Sequence, residues 1–288
     1  MTRIPESSTP PKKQWSFKTM KLSKILFGAV AGAAVLGLVS CGGNDDNNMI
    51  KGAGSKYKID YTNTSDEVSR GYKETATKHA GGLVKITFNT ECACTVNNDY
   101  NNAAGMMGTI FGLENSTSEN APDGAVDFYI MGVSNTGWTY ISKYENITDL
   151  SAKNFGAKTT ANAANGEAKE TELRSLTSGN RIDLTNTDGV KTIYLYERAL
   201  IDGSYDCAFL ELTDDEADAF KVEDYTTKTS TLPGTVKARR NIDGAFDTCD
   251  EGAQPQKKLA VYANVYAGNT LSGVWNYVNT YKEAEVIE

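Results

Sequence analysis

After residue 55 the chain alternates apolar and polar positions over short stretches. KYKIDYT (56–62) is a clear case. A period of two sends successive side chains to opposite faces, which predicts a half-buried strand. The same character recurs at 82–90, 108–114, 125–133, 138–147, 180–186, 191–200, 205–212, 235–242, 258–267 and 272–287. Gly, Asn, Asp and Thr, the residues suited to turns, divide these segments. Strands do not alternate with helix-length segments, so a doubly wound parallel sheet is disfavoured. Short strands in series predict a mainly β, antiparallel sandwich with one or two short helices. One helix is expected in GEAKETELRSL (166–176), where Glu170 and Arg174 stand at i,i+4. The other is expected in TDDEADAFK (213–221), capped by Thr213 or Asp214.

The segment LAVYANVYAGNTLSGVWNYVNTY (259–281) carries the strongest surface signal. Gly268-Asn269 fits a two-residue hairpin turn, which would place Tyr262 opposite Trp275. One face of that hairpin would be aliphatic. The other would carry Tyr262, Asn264, Tyr266, Trp275 and Tyr277. Rings beside amides suit a saccharide, because sugar C–H faces stack on rings and Asn bonds hydroxyls. The same residues also suit a second packed layer, since Tyr and Trp favour strands in any case. Trp138, Tyr140 and Tyr144 form a similar stripe.

The N-terminal region has a different pattern. Ile25–Ser40 is uncharged and follows Lys21 and Lys24. It is short for a membrane span, which needs about 20 apolar residues, and suits the apolar centre of a signal peptide. It ends in Leu38-Val39-Ser40-Cys41. This resembles the lipobox of bacterial lipoproteins. The resemblance implies cleavage before Cys41 and a diacylglycerol on its thiol, with no other cofactor. Residues 1–40 are then a removed leader, of which 1–19 read as a misplaced start. Residues 41–55 read as a flexible tether, and 56–288 as one domain. Gly42, where some enterobacterial lipoproteins carry an Asp that retains them at the inner membrane, leaves the outer membrane or cell surface as the expected address.

Charge narrows the partners. The chain carries a formal net charge of −8, and the leader is itself basic, so the remainder is more acidic still. That argues against nucleic acid and against direct attraction to anionic headgroups. Four cysteines follow Cys41: Cys92, Cys94, Cys207 and Cys249. An even count in an exported chain suggests two disulfides, with three pairings open. Pairing of Cys92 and Cys94 outward to Cys207 and Cys249 is favoured over a strained bond between the first two. A zinc site fits poorly, because ligand pairs are usually spaced C-x₂₋₄-C. Buried thiols are the third reading.

Motifs of catalysis are missing. The single histidine, His79, reads as a surface loop residue without an identifiable partner. No G-x-S-x-G, H-E-x-x-H or phosphate-loop pattern occurs. A glycosidase needs two carboxylates, and no distinctive pair stands out. No catalytic or metal-binding residue is assigned. NNAAGMMGTIFGLEN (101–115) and DFYIMGVSNTGWTYISKYENI (127–147) resemble inner strands of concanavalin A-like and laminin-G-like jelly rolls. That resemblance implies a fold and no site. The expectation is a lipid-anchored envelope or surface protein that binds a ligand, a glycan or a host or envelope protein. A carbohydrate-active enzyme and a structural envelope component are the alternatives.

Overall fold

The computed structural model describes residues 49–95, 102–173, 181–184 and 190–281. They form two seven-stranded sheets. The first contains β1 (Ile50–Ala53), β2 (Lys56–Thr62), β4 (Gly81–Phe88), β10 (Lys191–Ala199), β11 (Tyr205–Glu211), β12 (Thr235–Ile242) and β14 (Thr270–Tyr281). Its order is β1-β2-β14-β4-β10-β11-β12. The second contains β3 (Ser69–His79), β5 (Gly105–Asn115), β6 (Val126–Ser134), β7 (Thr139–Ile147), β8 (Lys158–Thr159), β9 (Lys169–Glu172) and β13 (Lys257–Val265). Its order is β3-β13-β5-β6-β7-β9-β8. All pairings are antiparallel except β8 with β9.

The sheets pack face to face, as a mainly β sandwich. Leu259, Val261, Ala263 and Val265 of β13 face Trp275, Leu195, Cys207 and Phe209 of the first sheet in one buried cluster. Tyr205 of β11 crosses the interior. Its ring meets Phe111 at 5.3 Å and Tyr129 at 5.4 Å, edge-on in both cases. Such T-shaped contacts add to the area they bury.

Each sheet also carries a covering on its outer face. The chain from Thr213 to Pro233 crosses the first sheet, with α1 (Asp214–Ala219) at its start. Ala217, Phe220, Val222 and Leu232 cover Leu83, Tyr194, Tyr196 and Leu210. Three side chains bind this cover through its carbonyls: Arg198 to Val222, Asn279 to Phe220 and Arg239 to Ser230, each at 2.6 Å. Thr213 caps α1 in a reciprocal box with Glu216, as the sequence predicts. On the second sheet, the residue 148–168 segment lays Phe155 against Phe128, Tyr144 and Tyr262 at 4.8–6.0 Å. Phe155 takes a left-handed backbone (φ 56°) to reach them.

Several expectations are corrected. The helix expected across 166–176 is strand β9 over Lys169–Glu172, hydrogen-bonded to β7. Glu170 there accepts hydrogen bonds from Tyr140 and Ser142, so sheet pairing prevails over helix propensity. Arg174 lies outside the described residues. The ordered body starts before residue 56: Met49 is fully buried, and β1 pairs with β2 inside the stretch read as tether. Gly268-Asn269 does not close a hairpin. It carries the chain from β13 in one sheet to β14 in the other.

Candidate functional site

The outer cover of the first sheet stops short, and a cavity of about 720 Å³ opens at its edge. Its floor comes from β4 and β10. Thr87 and Thr192 face each other across these strands with their hydroxyls 3.2 Å apart. One step along, Lys85 sits beside Tyr194, its ammonium 5.5 Å from the ring centre. The walls are the start of α1, with Asp214 and Glu216, and the chain around Glu211 and Thr235. Val190 stands exposed at the rim.

The charges here are matched within the protein. Lys85 Nζ bonds Asp214 Oδ1 at 2.8 Å, and Lys237 Nζ bonds Glu211 Oε2 at 2.5 Å. Glu216 accepts from the backbone N–H and the hydroxyl of Thr213. The hydrogen bond from Lys85 holds the Asp214 carboxyl below the usual carboxylate range. A general acid needs the opposite, a carboxyl raised toward the working pH. Asp214 is therefore not poised as a general acid. Hydroxyls and ion-paired side chains offer a polar ligand donors and acceptors.

A second polar cluster lies inside the sandwich. His79 is not a surface loop residue: it ends β3 and is 4% exposed. Its Nε2 lies 2.6 Å from the Tyr277 hydroxyl, and its Nδ1 lies 3.6 Å from Glu197 Oε1. Burial raises the Glu197 carboxyl to about 8 and pushes the Tyr277 phenol far up. Gly82 leaves the room for this group. A Cβ there would stand 3.1 Å from the Tyr277 hydroxyl and 3.4 Å from Glu197 Oε1. Glu197 sits in an otherwise strand-like YLYERAL run, and its inward parity with Leu195 was the available clue.

The proposed aromatic face is split. Trp275 and Tyr277 of β14 point into the sandwich, with Trp275 fully buried beside Tyr57 at 5.5 Å. Tyr262 and Asn264 of β13, and Tyr266 just past its end, have the opposite parity to the interior residues and lie on the outer face of the other sheet. There they share a face with Tyr140 and Tyr144 of β7, across β5 and β6. Asn264 is already engaged: its Oδ1 accepts from the Met106 N–H, and its Nδ2 donates to the Tyr262 hydroxyl. Tyr262 itself lies under Phe155. These rings form a packed second layer.

The cysteines do not form the expected disulfides: Cys92, Cys94, Cys207 and Cys249 all carry thiols. Cys92 bonds the Ser272 carbonyl in β14 at 3.0 Å. Ala93, its neighbour, bridges to Thr270 on the side of β14 that β4 occupies, and Cys207 is buried in β11, two strands beyond β4. At ~4.8 Å per strand that is roughly 10 Å, beyond the reach of a disulfide. Cys249 lies at the other end of the β10–β11 connection, bonded to Ile201. Among the described residues no group of three His, Cys, Asp or Glu side chains could hold a metal ion. Nor is any helix among them long and apolar enough to cross a membrane. Cys41 lies outside the described residues. No protein-family model matches the chain, and no curated protein matches it either.

Proposed function

We propose that this is a lipid-anchored bacterial envelope or surface protein whose sandwich presents a ligand-binding groove, with glycans as the ligand class. The observation that carries the reading is the cavity beside Lys85, Thr87, Thr192 and Tyr194, open on a face that its own cover leaves free. Its lining of hydroxyls and internally matched charges supports binding over catalysis. The anchor rests on Leu38-Val39-Ser40-Cys41, where a multi-chain lipid on Cys41 would hold the protein firmly. Membrane association follows from the lipid, and the acidic body stays clear of the headgroups.

Two experiments test the two halves. Expression with and without globomycin, beside Cys41→Ala, should shift the processed, membrane-bound form to an unprocessed one. Unchanged processing and fractionation would sink the anchor. A glycan array with the chain from residue 42 should show selective binding, and uniform silence across glycans would sink the groove's assignment.

A further inference from the structure

The interior cluster joins the sheets through groups that titrate. His79 belongs to β3 of one sheet, while Glu197 and Tyr277 belong to β10 and β14 of the other. The main chain is stitched at the same place. The Ala80 N–H donates to the Tyr281 carbonyl at 3.0 Å, and the Ala199 N–H donates to the Ala80 carbonyl at 2.7 Å. This is where the chain passes from β3 to β4, and so from sheet to sheet.

The surroundings supply little to balance a charge. Glu197 is 3% exposed, and its Oε1 has no hydrogen-bond partner among the described residues. Facing it are His79 from β3, Tyr277 from β14, and Tyr205 and Cys207 from β11. Arg198, next in sequence, lies on the other face, held by the Val222 carbonyl with its guanidinium 4.8 Å from the Tyr281 ring centre. An ionised carboxylate left alone in such a place is costly. A proton held by the pair, on either Glu197 or His79, leaves the cluster with no net charge, and the two arrangements contain the same number of protons.

We propose that His79, Glu197 and Tyr277 form a proton-operated clasp between the two sheets, closed while the His79–Glu197 pair keeps one proton and loosened when that proton leaves. The consequence has a definite sign. In the unfolded chain the two groups titrate separately, Glu197 at the ordinary value of 4.5 and His79 near the ordinary histidine value of about 6.5, whereas the folded pair keeps one proton. Between those two values the folded and unfolded chains hold the same number of protons on these groups, and the clasp's contribution is at its full value. It declines as pH rises above about 6.5 and is lost by about 8, where the buried carboxyl ionises.

The test combines stability with a direct view of the proton. Urea unfolding of the full mature chain should show a midpoint that falls between about pH 6.5 and pH 8, the interval in which the folded pair holds a proton that the unfolded chain has released. The isosteric Glu197→Gln should flatten that fall. Amide exchange at Ala80 and Ala199, corrected for intrinsic base catalysis, should accelerate over the same interval in the wild type only. Infrared spectra of the wild type should show a protonated carboxyl band at neutral pH that bleaches near pH 8 and is missing from Glu197→Gln. The infrared reading stands even if the variant fails to fold. A pair that has already lost its proton at pH 6, with the carboxyl ionised and the imidazole neutral, or an equal fall in both proteins, overturns the clasp.

Discussion

Lys85 in β4 reaches across the groove to Asp214 at the start of α1, Nζ to Oδ1 at 2.8 Å. The pair links the sheet floor to the edge of the cover. Asp214 is largely exposed, so solvent screens the bond and it adds little to stability. Asp214→Asn should leave the urea midpoint within error at neutral pH. The Lys85 bond depresses the Asp214 pKa, so whatever the pair contributes is present at neutral pH. It is lost only as pH falls through the lowered value. A variant that unfolded several-fold more readily at pH 7 would show that the contact anchors the cover.

The cover's own anchor is expected to lie elsewhere. Thr213 accepts the Glu216 N–H at 3.2 Å, and Glu216 returns the favour to the Thr213 N–H at 2.8 Å. Thr213→Ala removes one half of this box and should cost about 1 kcal/mol. Thr213→Ser should restore most of the loss. Equilibrium unfolding of the three proteins checks both.

Beneath the cover, Asp206 meets Arg239 through two parallel bonds, 2.9 and 2.6 Å, and accepts a third from Asn241. Asp206 is fully buried, and burial raises its pKa in spite of the arginine. Truncating one partner strands the other. Asp206→Ala should cost roughly 3–5 kcal/mol, far more than the exposed pair at Asp214. A loss under ~1 kcal/mol would mean that Arg239 finds another acceptor or swings into water.

Trp275 and Tyr262 give a third contrast. Trp275 fills the interior, so Trp275→Ala should cost about 3–5 kcal/mol. Tyr262→Phe keeps the ring under Phe155 and loses only the acceptor for Asn264 Nδ2, at a cost of about 1 kcal/mol. Neither substitution should alter glycan binding beyond its effect on the folded fraction. Selective loss of binding in well-folded Tyr262→Phe would return the site to this face.

The strands with clean alternation were legible in the chain: KYKIDYT is β2 residue for residue, and TVKARRNI is β12. Strand β3 was not. SRGYKETATKH is polar because it is an edge strand, paired on one side by β13 alone. Gly268-Asn269 makes a turn, as its residues predict, but joins two sheets instead of closing a hairpin. A tight reversal within a sheet and a step between facing sheets ask the same of local backbone. Because β13 and β14 belong to different sheets, their aromatic parities face in opposite senses: outward for Tyr262, inward for Trp275. Parity survives within a strand, but which face meets the core is a tertiary fact. The groove was illegible for a similar reason. Lys85, Thr192 and Asp214 are far apart in sequence, and only strand order and the short cover bring them together.

The central claim is that the groove on the first sheet binds glycan, and the most direct measurement fills it. Thr235 lines the cavity from an exposed edge position, so Thr235→Trp should occupy the groove without disturbing the core. Glycan-array binding by the wild-type chain from residue 42, beside Thr235→Trp of matched stability, decides the matter. Selective binding in the wild type that falls at least tenfold in Thr235→Trp is the predicted result. Equal binding in both proteins would place the ligand elsewhere, and no binding in either would contradict the account.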